Sequence, residues 1–508
     1  MSPAGMERVE HVEVRSGAYH DSVTLLQVSR RVADVPGVQA AQVAMATPLN
    51  VEVLAGMGFV VPEGTAPADL VVALRADDDS AVQDALAALV TALAPAVSTV
   101  GSSTLEPART TGVALRRSPA PVVVVSVPGP SAVAEAMDAI TAGSSVLVFS
   151  DNVSVPQEVA LKDAAAEHDV LVMGPDCGTA VLGGLGLGFA NVVQPGPVSL
   201  VAASGTGAQH LMALLDHAGV GVRHCLGLGG RDLSAAVGGR SARQALTALA
   251  GDDATELVVL VSKPADPGVL DDLQELVGGL DVAVEWATLG AGRRDLTEVA
   301  TATLDRLGVT GVTWPVWRAP DAQPRSPGRA LRGLFCGGTL CDEAMLVAAE
   351  RLGPIRSNIP LSTELALDVR GDGRWDAGTA HAMVDFGDDA LTQGRAHPMI
   401  DPSLRDQRLA REAADPRVGA VLLDVVLGHG AHPDPAIELA PAIAAARAAA
   451  GAAGRALAVV VSLTGTTGDP QGRDDQAQRL AAAGADVYLS NAAAARAAAA
   501  LVRPEEAS

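Results

Sequence analysis

The chain has 508 residues, more than a single hydrophobic core usually serves, which predicts several domains. Its formal net charge of −23 excludes nucleic acid and anionic membranes as partners, because both bind through Lys and Arg. Hydrophobic residues make up 48% and aromatic ones only 2%, so Ala, Val and Leu must build the cores, which favours α/β layers.

Residues 1–97 predict a small α+β domain. Apolar strands such as VQAAQVAM and DLVVALRA are separated and followed by segments of helical periodicity, in the style of ferredoxin-like folds. Periodicity alone leaves the strand order open. The weakly periodic stretch from Ser98 to Pro119 predicts a linker.

The pattern changes at Val122 to strands that are apolar on both faces. The runs VVVVSV, SSVLVFS and DVLVMG alternate with helices, which is typical of a parallel sheet covered on both sides. We therefore predict a Rossmann-like domain at 120–195. Two further α/β domains are predicted at 196–312 and 330–508, joined by a stretch rich in Pro, Trp and Arg.

These last two domains resemble each other in sequence. SGTGAQHLMALLDHAG aligns with GGTLCDEAMLVAAERLG, so that Gly205-Thr206 falls on Gly338-Thr339. ELVVLVSKPADP then corresponds to GAVLLDVVLGHGAHPDP, and AVEWATLG to VVVSLTGT. Two copies of one α/β unit predict a pseudo-symmetric pair whose strand ends face each other.

Glycine-rich turns follow several strands of both copies. Such a turn lets an anion approach the first N–H groups of the next helix, although glycine after a strand is also ordinary turn chemistry. Because the pattern recurs, we predict a phosphate site. Its predicted residues are Ser204, Gly205, Thr206, Gly207, Gly338, Thr339, Gly428 and Gly430.

The four cysteines contain no Cys-x-x-Cys pair and are too few for a disulfide framework, which fits a reducing cytosol. No His or acidic residue completes a ligand set around Cys336 and Cys341, so we expect buried thiols and no metal. The first ten residues are polar, and no stretch reaches about 18 apolar residues. We therefore expect a cytoplasmic protein.

Longer motifs resemble a known family. MGPDCGTAVL, PGPVSLVAASGTGAQ and GVGVRHCLGLGGRD resemble the α-subunit of succinyl-CoA synthetase, and VGAVLLDVVLGHGAHPD with VVVSLTGTTGDPQGRDDQAQRL resembles the ligase domain of its β-subunit. Together with AYHDSVTLLQVSRRV, TPLN and GRAHPMIDPSLRDQR, the arrangement is similar to the FdrA family. The resemblance implies a ferredoxin-like domain, a CoA-binding-like Rossmann half and two flavodoxin-like succinyl-CoA ligase domains.

The FdrA resemblance implies an acyl-CoA synthetase-like enzyme associated with carbamoyl transfer involving oxamate in purine (allantoin) nitrogen catabolism. The phosphohistidine of the synthetase is missing, because Arg293-Arg294 is followed by Asp295 and no histidine lies between His224 and His381. No predicted domain corresponds to the ATP-grasp domain of the synthetase either. We therefore expect that nucleotide is not the phosphoryl donor within this chain.

Two residues are predicted to be catalytic. Lys263 stands where the synthetase has a glutamate that orients its phosphohistidine, and an ammonium there suits a directly bound phosphate. His429 stands where the synthetase has a Gly-Gly phosphate turn, so its imidazole would donate to a leaving phosphate. Each is equally readable as an ordinary residue after a strand. His397, in AHPMIDP, is open between a closing loop and a structural role.

The CoA pocket of the synthetase is matched in part. The matching residues are Pro128, Pro130, Asp151, Asn152, Gly174, Pro175, Asp176 and Cys177. Asp176 replaces the family's Asn, and the leading glycine-rich turn of the CoA domain is absent, which leaves CoA binding open. Arg231 and Arg395 are the candidate partners of a substrate carboxylate.

Three functions follow as hypotheses. In the first, the chain transfers an acyl or carbamoyl group from an acyl phosphate held at opposed helix N-termini, Ser204–Gly207 and Gly428–Gly430, to a small carboxylate substrate. In the second, it is an NDP-forming acyl-CoA ligase subunit with a separate ATP-grasp partner. In the third, it is a non-catalytic scaffold. Partner subunits and an oligomer are expected.

Overall fold

The computed structural model describes residues 9–18, 20, 22–62, 64–94, 108–326, 329–392 and 396–502. The chain divides into two units. The first comprises Met1–Arg109, Ser126–Pro128 and Thr392–Ala396, and the second comprises Thr110–Val125, Gly129–Leu391 and His397–Ser508.

The N-terminal unit is an antiparallel sheet with helices. Its elements are β1 (Val9–Arg15), α1 (Ser22–Ala33), β2 (Val38–Met45), α2 (Pro48–Gly56), β3 (Leu70–Ala76) and α3 (Asp79–Leu93). The strand order β1-β3-β2 is that of a ferredoxin-like sheet. Strand β3 is apolar from Leu70 to Leu74 because both its faces are covered: Leu70 and Val72 pack with α1 and α3, while Val71 packs with Leu54 and Phe59. The predicted α+β fold is confirmed.

The second unit begins with a parallel three-stranded sheet of order β4-β5-β6. Its elements are α4 (Thr111–Arg117), β4 (Val122–Val125), α5 (Gly129–Thr141), β5 (Ser145–Val148), α6 (Val155–Glu167) and β6 (Val172–Met173). Helix α4 lies where the sequence predicted a linker. It forms there because carboxylates of α5 accept from its first amides, Glu135 from Thr111 at 2.9 Å and Asp138 from Gly112 at 3.0 Å.

A six-stranded sheet follows, of order β12-β11-β9-β10-β7-β8. Its elements are β7 (Thr179–Leu182), β8 (Leu185–Gly188), β9 (Val198–Ala203), α7 (Gly205–His217), β10 (Val222–Gly227), α8 (Arg240–Ala250), β11 (Leu257–Ser262), α9 (Pro267–Val277), β12 (Ala283–Thr288) and α10 (Leu296–Arg306). The β7–β8 hairpin pairs antiparallel with β10. The predicted boundary at 195 therefore falls after a hairpin that belongs to this sheet.

The last sheet has seven strands in the order β13-β19-β18-β17-β14-β16-β15. Its elements are β13 (Val316–Trp317), β14 (Ala330–Phe335), α11 (Gly338–Leu352), β15 (Ile355–Arg356), β16 (His381–Asp385), α12 (Asp389–Thr392), α13 (Ser403–Ala414), β17 (Val418–Val426), α14 (Ala436–Ala452), β18 (Ala458–Thr464), α15 (Arg473–Ala482), β19 (Asp486–Tyr488) and α16 (Asn491–Val502). A short 3₁₀ turn lies at Thr363–Leu365.

The two larger sheets repeat one topology. In each, the first strand lies between the second and the third, and the fourth follows outside the third: β10-β9-β11-β12 in one sheet and β16-β14-β17-β18 in the other. This is the flavodoxin-like order that the sequence repeat predicted. Helices α7 and α11, which follow the two first strands, share one core through Leu211, Leu215, Leu340 and Met345. The predicted fold class is confirmed.

No helix within the described ranges combines the length and the apolar character needed to cross a lipid bilayer.

Candidate functional site

The N-termini of α7 and α11 meet. Ser204 caps α7 by accepting from the Gly207 amide at 3.0 Å, and its Oγ lies 2.7 Å from Thr339 Oγ1 in the first turn of α11. A Cβ added to Gly337 would lie 2.9 Å from the Thr206 side chain, and one added to Gly207 would lie 2.9 Å from Thr339. Only glycine therefore lets the two caps come this close.

The first amides of both helices are available to a ligand. Within the described ranges, no side chain accepts a hydrogen bond from the amides of Gly205, Thr206, Gly338 or Thr339, which are too early in their helices for an internal partner. Gly205 is exposed, and Thr206 and Gly338 are partly exposed. The junction thus presents two positive helix ends to solvent.

Asp424 anchors the cap of α11. Gly337 has no side chain with which to cap the helix, and instead the buried Asp424 carboxylate accepts from the amides of Cys336 at 2.7 Å and Gly337 at 2.9 Å. The guanidinium of Arg405 donates to the same carboxylate at 2.9 Å. The strand-to-helix turn before Gly338 is therefore fixed by side-chain contacts from β17 and α13.

Lys263 lies beside this junction. It follows β11 directly, and its Nζ would lie 2.9 Å from a Cβ added to Gly338. No carboxylate among the described residues forms an ion pair with its ammonium. Burial raises the pKa of four surrounding carboxyls, and the charge of Lys263 opposes that rise in each of them, namely Asp176, Asp342, Asp385 and Asp389. Lys263 is thus a partly exposed cation at the meeting point of both ligase-like domains.

Asp385 lies on the other side of Gly338. It ends β16, and its Oδ2 would lie 2.7 Å from the added Cβ. Burial raises its pKa to about 7, and Lys263 opposes that shift. Asn358 fixes the backbone of Asp385, accepting from its amide at 3.0 Å and donating to its carbonyl at 2.9 Å. The sequence analysis missed Asp385 because only tertiary structure brings β16 next to the end of β11.

Exposed carboxylates lie near Lys263. Asp176 reaches solvent, yet the surrounding protein removes enough water to raise its pKa to about 7, and Asp389 and Asp151 add to the shift. Lys263 and Arg231 oppose it. Asp389, which also escaped the sequence analysis, begins α12.

Arg231 is held near these carboxylates by a buried network. Its guanidinium pairs with Glu158 at 2.9 Å and donates to the Val153 carbonyl at 2.8 Å. Glu158 also accepts from Lys162 at 2.7 Å, and Lys162 pairs with Asp232 at 2.8 Å. Lys162 is fully buried. The chain's two lysines thus differ, since Lys162 is fully paired and Lys263 is not. Arg395, the other predicted carboxylate partner, lies outside the described residues.

The loop of His429 is built differently from the α7 and α11 turns. Gly428 donates to Gln471 at 3.1 Å, and His429 donates through its amide to the Ala190 carbonyl at 2.8 Å. A Cβ added to Gly428 would lie 2.6 Å from the same carbonyl oxygen, and one added to Gly430 would lie 3.0 Å from the Phe189 ring. The sequence hypothesis of a helix N-terminus here is wrong, because α14 begins only at Ala436, after two prolines.

His429 is exposed, and within the described ranges no hydrogen bond or ion pair joins its side chain to Lys263 or to the α7–α11 junction. The helix end that opposes Ser204–Gly207 is that of α11. The roles predicted for His429, Gly428 and Gly430 stay predictions.

The predicted CoA residues gather at the carboxyl edge of β4, β5 and β6. A Cβ on Gly129, next to Pro130, would lie 2.4 Å from the Asp151 carbonyl, and the Asp176 amide donates to the Ser150 carbonyl at 3.0 Å. Asn152 and Asp176 have positive φ of 55° and 56°. Gly174, Pro175 and Cys177 form the turn after β6, and Cys177 is buried. Pro128 belongs to the Ser126–Pro128 stretch that groups with the N-terminal unit.

The carboxylates of Asp151, Asp176 and Asp389 oppose a ligand with several phosphate charges at this edge. Within the described residues, no group of three or more His, Cys, Asp or Glu side chains has an arrangement that suits a metal ion.

Comparison with protein families finds one match in the N-terminal part of the chain and another in the C-terminal part. Residues 334–501 match the profile described as CoA-ligase, and residues 6–107 match one described as AllF, heavy metal-associated domain. The latter range contains no cysteine. The chain therefore contains a CoA-ligase domain on an α/β fold of the succinyl-CoA synthetase-like kind.

Comparison with curated proteins shows the family of the whole chain. It is 36% identical over 497 residues to the uncharacterized protein YahF of Escherichia coli K12, covering 93% of this chain and 95% of YahF. The chain belongs to the YahF family. It is also 29% identical over 154 residues to a subunit alpha 2 of succinate–CoA ligase [ADP-forming] from Archaeoglobus fulgidus, over 30% of this chain and 52% of that protein.

The solved structures that match the chain are more distant in sequence. An acetyl-coenzyme A synthetase of Ca. Korarchaeum cryptofilum, in complex with phosphate and ADP, is 16% identical with a TM-score of 0.31, over 80% of this chain and 86% of its own. An ATP citrate lyase of Methanothrix soehngenii is 14% identical with a TM-score of 0.30, over 40% of this chain and 41% of its own.

Proposed function

We propose that this protein is an FdrA-type enzyme that transfers an acyl or carbamoyl group from an acyl phosphate bound where α7 and α11 meet. The observation that carries the proposal is the pair of opposed helix N-termini with Lys263 Nζ beside Gly338. The CoA-ligase match and the likeness to a succinate–CoA ligase subunit support acyl chemistry.

The chemistry of the junction suits a phosphate dianion. Each helix end carries a partial positive charge, the uncapped amides of Gly338 and Thr339 are donors, and Lys263 supplies a full charge. An acyl phosphate is already activated, so the step requires positioning and charge neutralisation, and these groups supply both. No phosphohistidine is needed, in keeping with its absence from the sequence.

The proposed donor is carbamoyl phosphate and the proposed acceptor is oxamate. Arg231 lies close enough to Asp176 and Asp389 to oppose the rise in the pKa of both, which supports it as the partner of a small carboxylate. The carboxylates at the β4–β6 edge oppose CoA, so CoA is the less favoured acceptor.

The test is isothermal titration of the full chain with carbamoyl phosphate, acetyl phosphate and CoA. We expect both acyl phosphates to bind, Lys263→Met to weaken that binding at least about tenfold, and Lys263→Arg to restore part of it, since Arg keeps the charge. Binding of CoA without either acyl phosphate would favour an acyl-CoA ligase subunit with an ATP-grasp partner. Binding of none of the three would favour a scaffold.

A further inference from the structure

Three polar groups close in on the space that two glycines leave without a Cβ, which is called the gap below. A Cβ on Gly338 would lie 2.9 Å from Lys263 Nζ and 2.7 Å from Asp385 Oδ2. A Cβ on Gly387 would lie 3.1 Å from Asp385 Oδ1 and 2.6 Å from His397 Nε2. The Asp385 carboxylate therefore lies close to both the ammonium and the imidazole.

The two oxygens of Asp385 have different environments. Oδ1 accepts from the Gly387 amide at 2.8 Å, whereas no described residue donates to Oδ2. The carboxyl group is 5% exposed, and its backbone is held on both sides by Asn358. Oδ2 is thus a fixed, unused acceptor on the Lys263 side of the gap.

His397 contributes no charge to this gap near neutral pH. Its Nδ1 accepts from the Met399 amide at 3.2 Å, which places the proton of the neutral ring on Nε2. Burial, with Arg405 adding to it, lowers the pKa of His397 to about 4. Lys263 is therefore the cation whose charge acts on Asp385 across the gap.

We propose that Asp385 takes the proton of the acceptor in the transfer step, while Lys263 and the helix ends hold the phosphate on the other side of Gly338. This assignment rests on the proposed function and adds to it a residue that neither the family motifs nor the sequence pattern indicated. Asp385 then touches the acceptor through Oδ2, the oxygen without a partner.

The atoms of this step balance. The acceptor nitrogen or other X–H group attacks the carbonyl carbon, the C–X bond forms, and the C–O bond to phosphate breaks with its electron pair leaving on the phosphate. The proton of X–H passes to the Asp385 carboxylate and leaves on the phosphate as hydrogen phosphate. The carboxylate is regenerated, and no oxidant, nucleotide or further reactant is consumed.

The proposal predicts a pH dependence. Asp385 must be unprotonated to act, and its pKa is raised to about 7 by burial, so the rate rises with pH through about 7. The titratable and charged groups around Asp385 are Lys263, Asp424, Asp388, His397 and Cys341. Burial keeps the Cys341 thiol protonated in this range, because it raises that pKa far above its ordinary value.

The test compares Asp385→Asn with Asp342→Asn. Asp342 is also buried in α11 and also within the influence of Lys263, but it does not face the gap at Gly338. The readouts are phosphate release from carbamoyl phosphate with oxamate as acceptor, its pH profile, and titration calorimetry of carbamoyl phosphate. For Asp385→Asn we expect phosphate release to fall about 100-fold or more, with binding kept within about tenfold and the rise through pH 7 lost. Asp342→Asn keeps the rate and the profile.

A rate for Asp385→Asn above a tenth of the wild-type rate, or an unchanged pH profile, would overturn the assignment. An equal loss in Asp342→Asn would also overturn it, because the effect would then be a general one of charge near Lys263. Asp385→Ser, which keeps an acceptor for Gly387, serves if the Asn variant does not fold. A wild-type chain that binds no acyl phosphate would instead remove the proposed function.

Discussion

Gly338→Ala tests the site with a single methyl group. Gly338 does not have positive φ and is the first residue of α11, so its backbone admits alanine, and alanine favours the helix by up to about 1 kcal/mol. The added Cβ would lie 2.9 Å from Lys263 Nζ, whereas contact requires about 3.5 Å. The flexible end of Lys263 must move, and so must Asp385 Oδ2, which would lie 2.7 Å from the added Cβ. We expect the gain in helix propensity to offset most of the folding cost, so that the main loss appears in binding.

The magnitude follows from Coulomb's law. At an effective dielectric constant of about 20, unit charges about 4 Å apart attract by roughly 4 kcal/mol and lose about 0.8 kcal/mol when they separate by a further 1 Å. A phosphate dianion loses about 1.6 kcal/mol, which is more than about tenfold in Kd. Displacement of Asp385 Oδ2 adds to this loss through the orientation of the acceptor.

The assays are titration of carbamoyl phosphate and urea unfolding of the same preparations. Gly205→Ala is the matched comparison for unfolding, since its Cβ meets Thr179 at an ordinary 3.4 Å. We expect both variants to unfold within about 1 kcal/mol of wild type and Gly338→Ala to bind more than about tenfold more weakly. Unchanged affinity in Gly338→Ala would refute the reasoning, because a ligand at this junction must respond to the position of Lys263.

Three further predictions concern stability and the thiols. Lys162→Met removes the buried cation that two buried carboxylates share and should lower the free energy of unfolding in urea by about 3–5 kcal/mol, whereas Arg243→Met, which removes an exposed ion pair, should change it by at most about 1 kcal/mol. Burial raises the pKa of Glu343 to about 7, so the folded chain keeps this proton to higher pH than the unfolded chain. The free energy of unfolding should then fall between pH 4.5 and about 7 and fall less in Glu343→Gln; equal slopes would contradict this. All four cysteines are buried, and burial raises the pKa of Cys177 to about 12, so a thiol reagent should label them only in denaturant, and rapid labelling of the folded chain would contradict that burial.

Sequence reasoning identified the α7 and α11 turns because their chemistry is local. A small-residue turn between an apolar strand and an apolar helix is visible in a few letters, and its repetition at Gly205-Thr206 and Gly338-Thr339 marked the duplicated topology. The position of Lys263 after the third strand of the first copy was equally visible. These features are visible in the sequence because they depend on residues that are neighbours along the chain.

The acidic half of the site escaped because its contacts are long-range. Asp385 reaches Gly338 only after β16 pairs with β14, and Asp389 approaches Asp176 only in the assembled second unit. The Gly428–Gly430 turn was misread for the opposite reason. It looks like its counterparts letter by letter, but Gln471 and Ala190, which are distant in sequence, occupy its polar groups.

The most direct test of the α7–α11 site is a crystal structure of the full chain with inorganic phosphate, backed by a second crystal of Lys263→Met. We predict one phosphate within hydrogen-bond distance of the amides of Gly205 or Thr206 in one helix and Gly338 or Thr339 in the other, contacting Lys263 Nζ and absent from the variant. A phosphate seated at the His429 loop, or density at the junction that persists without Lys263, would contradict the account.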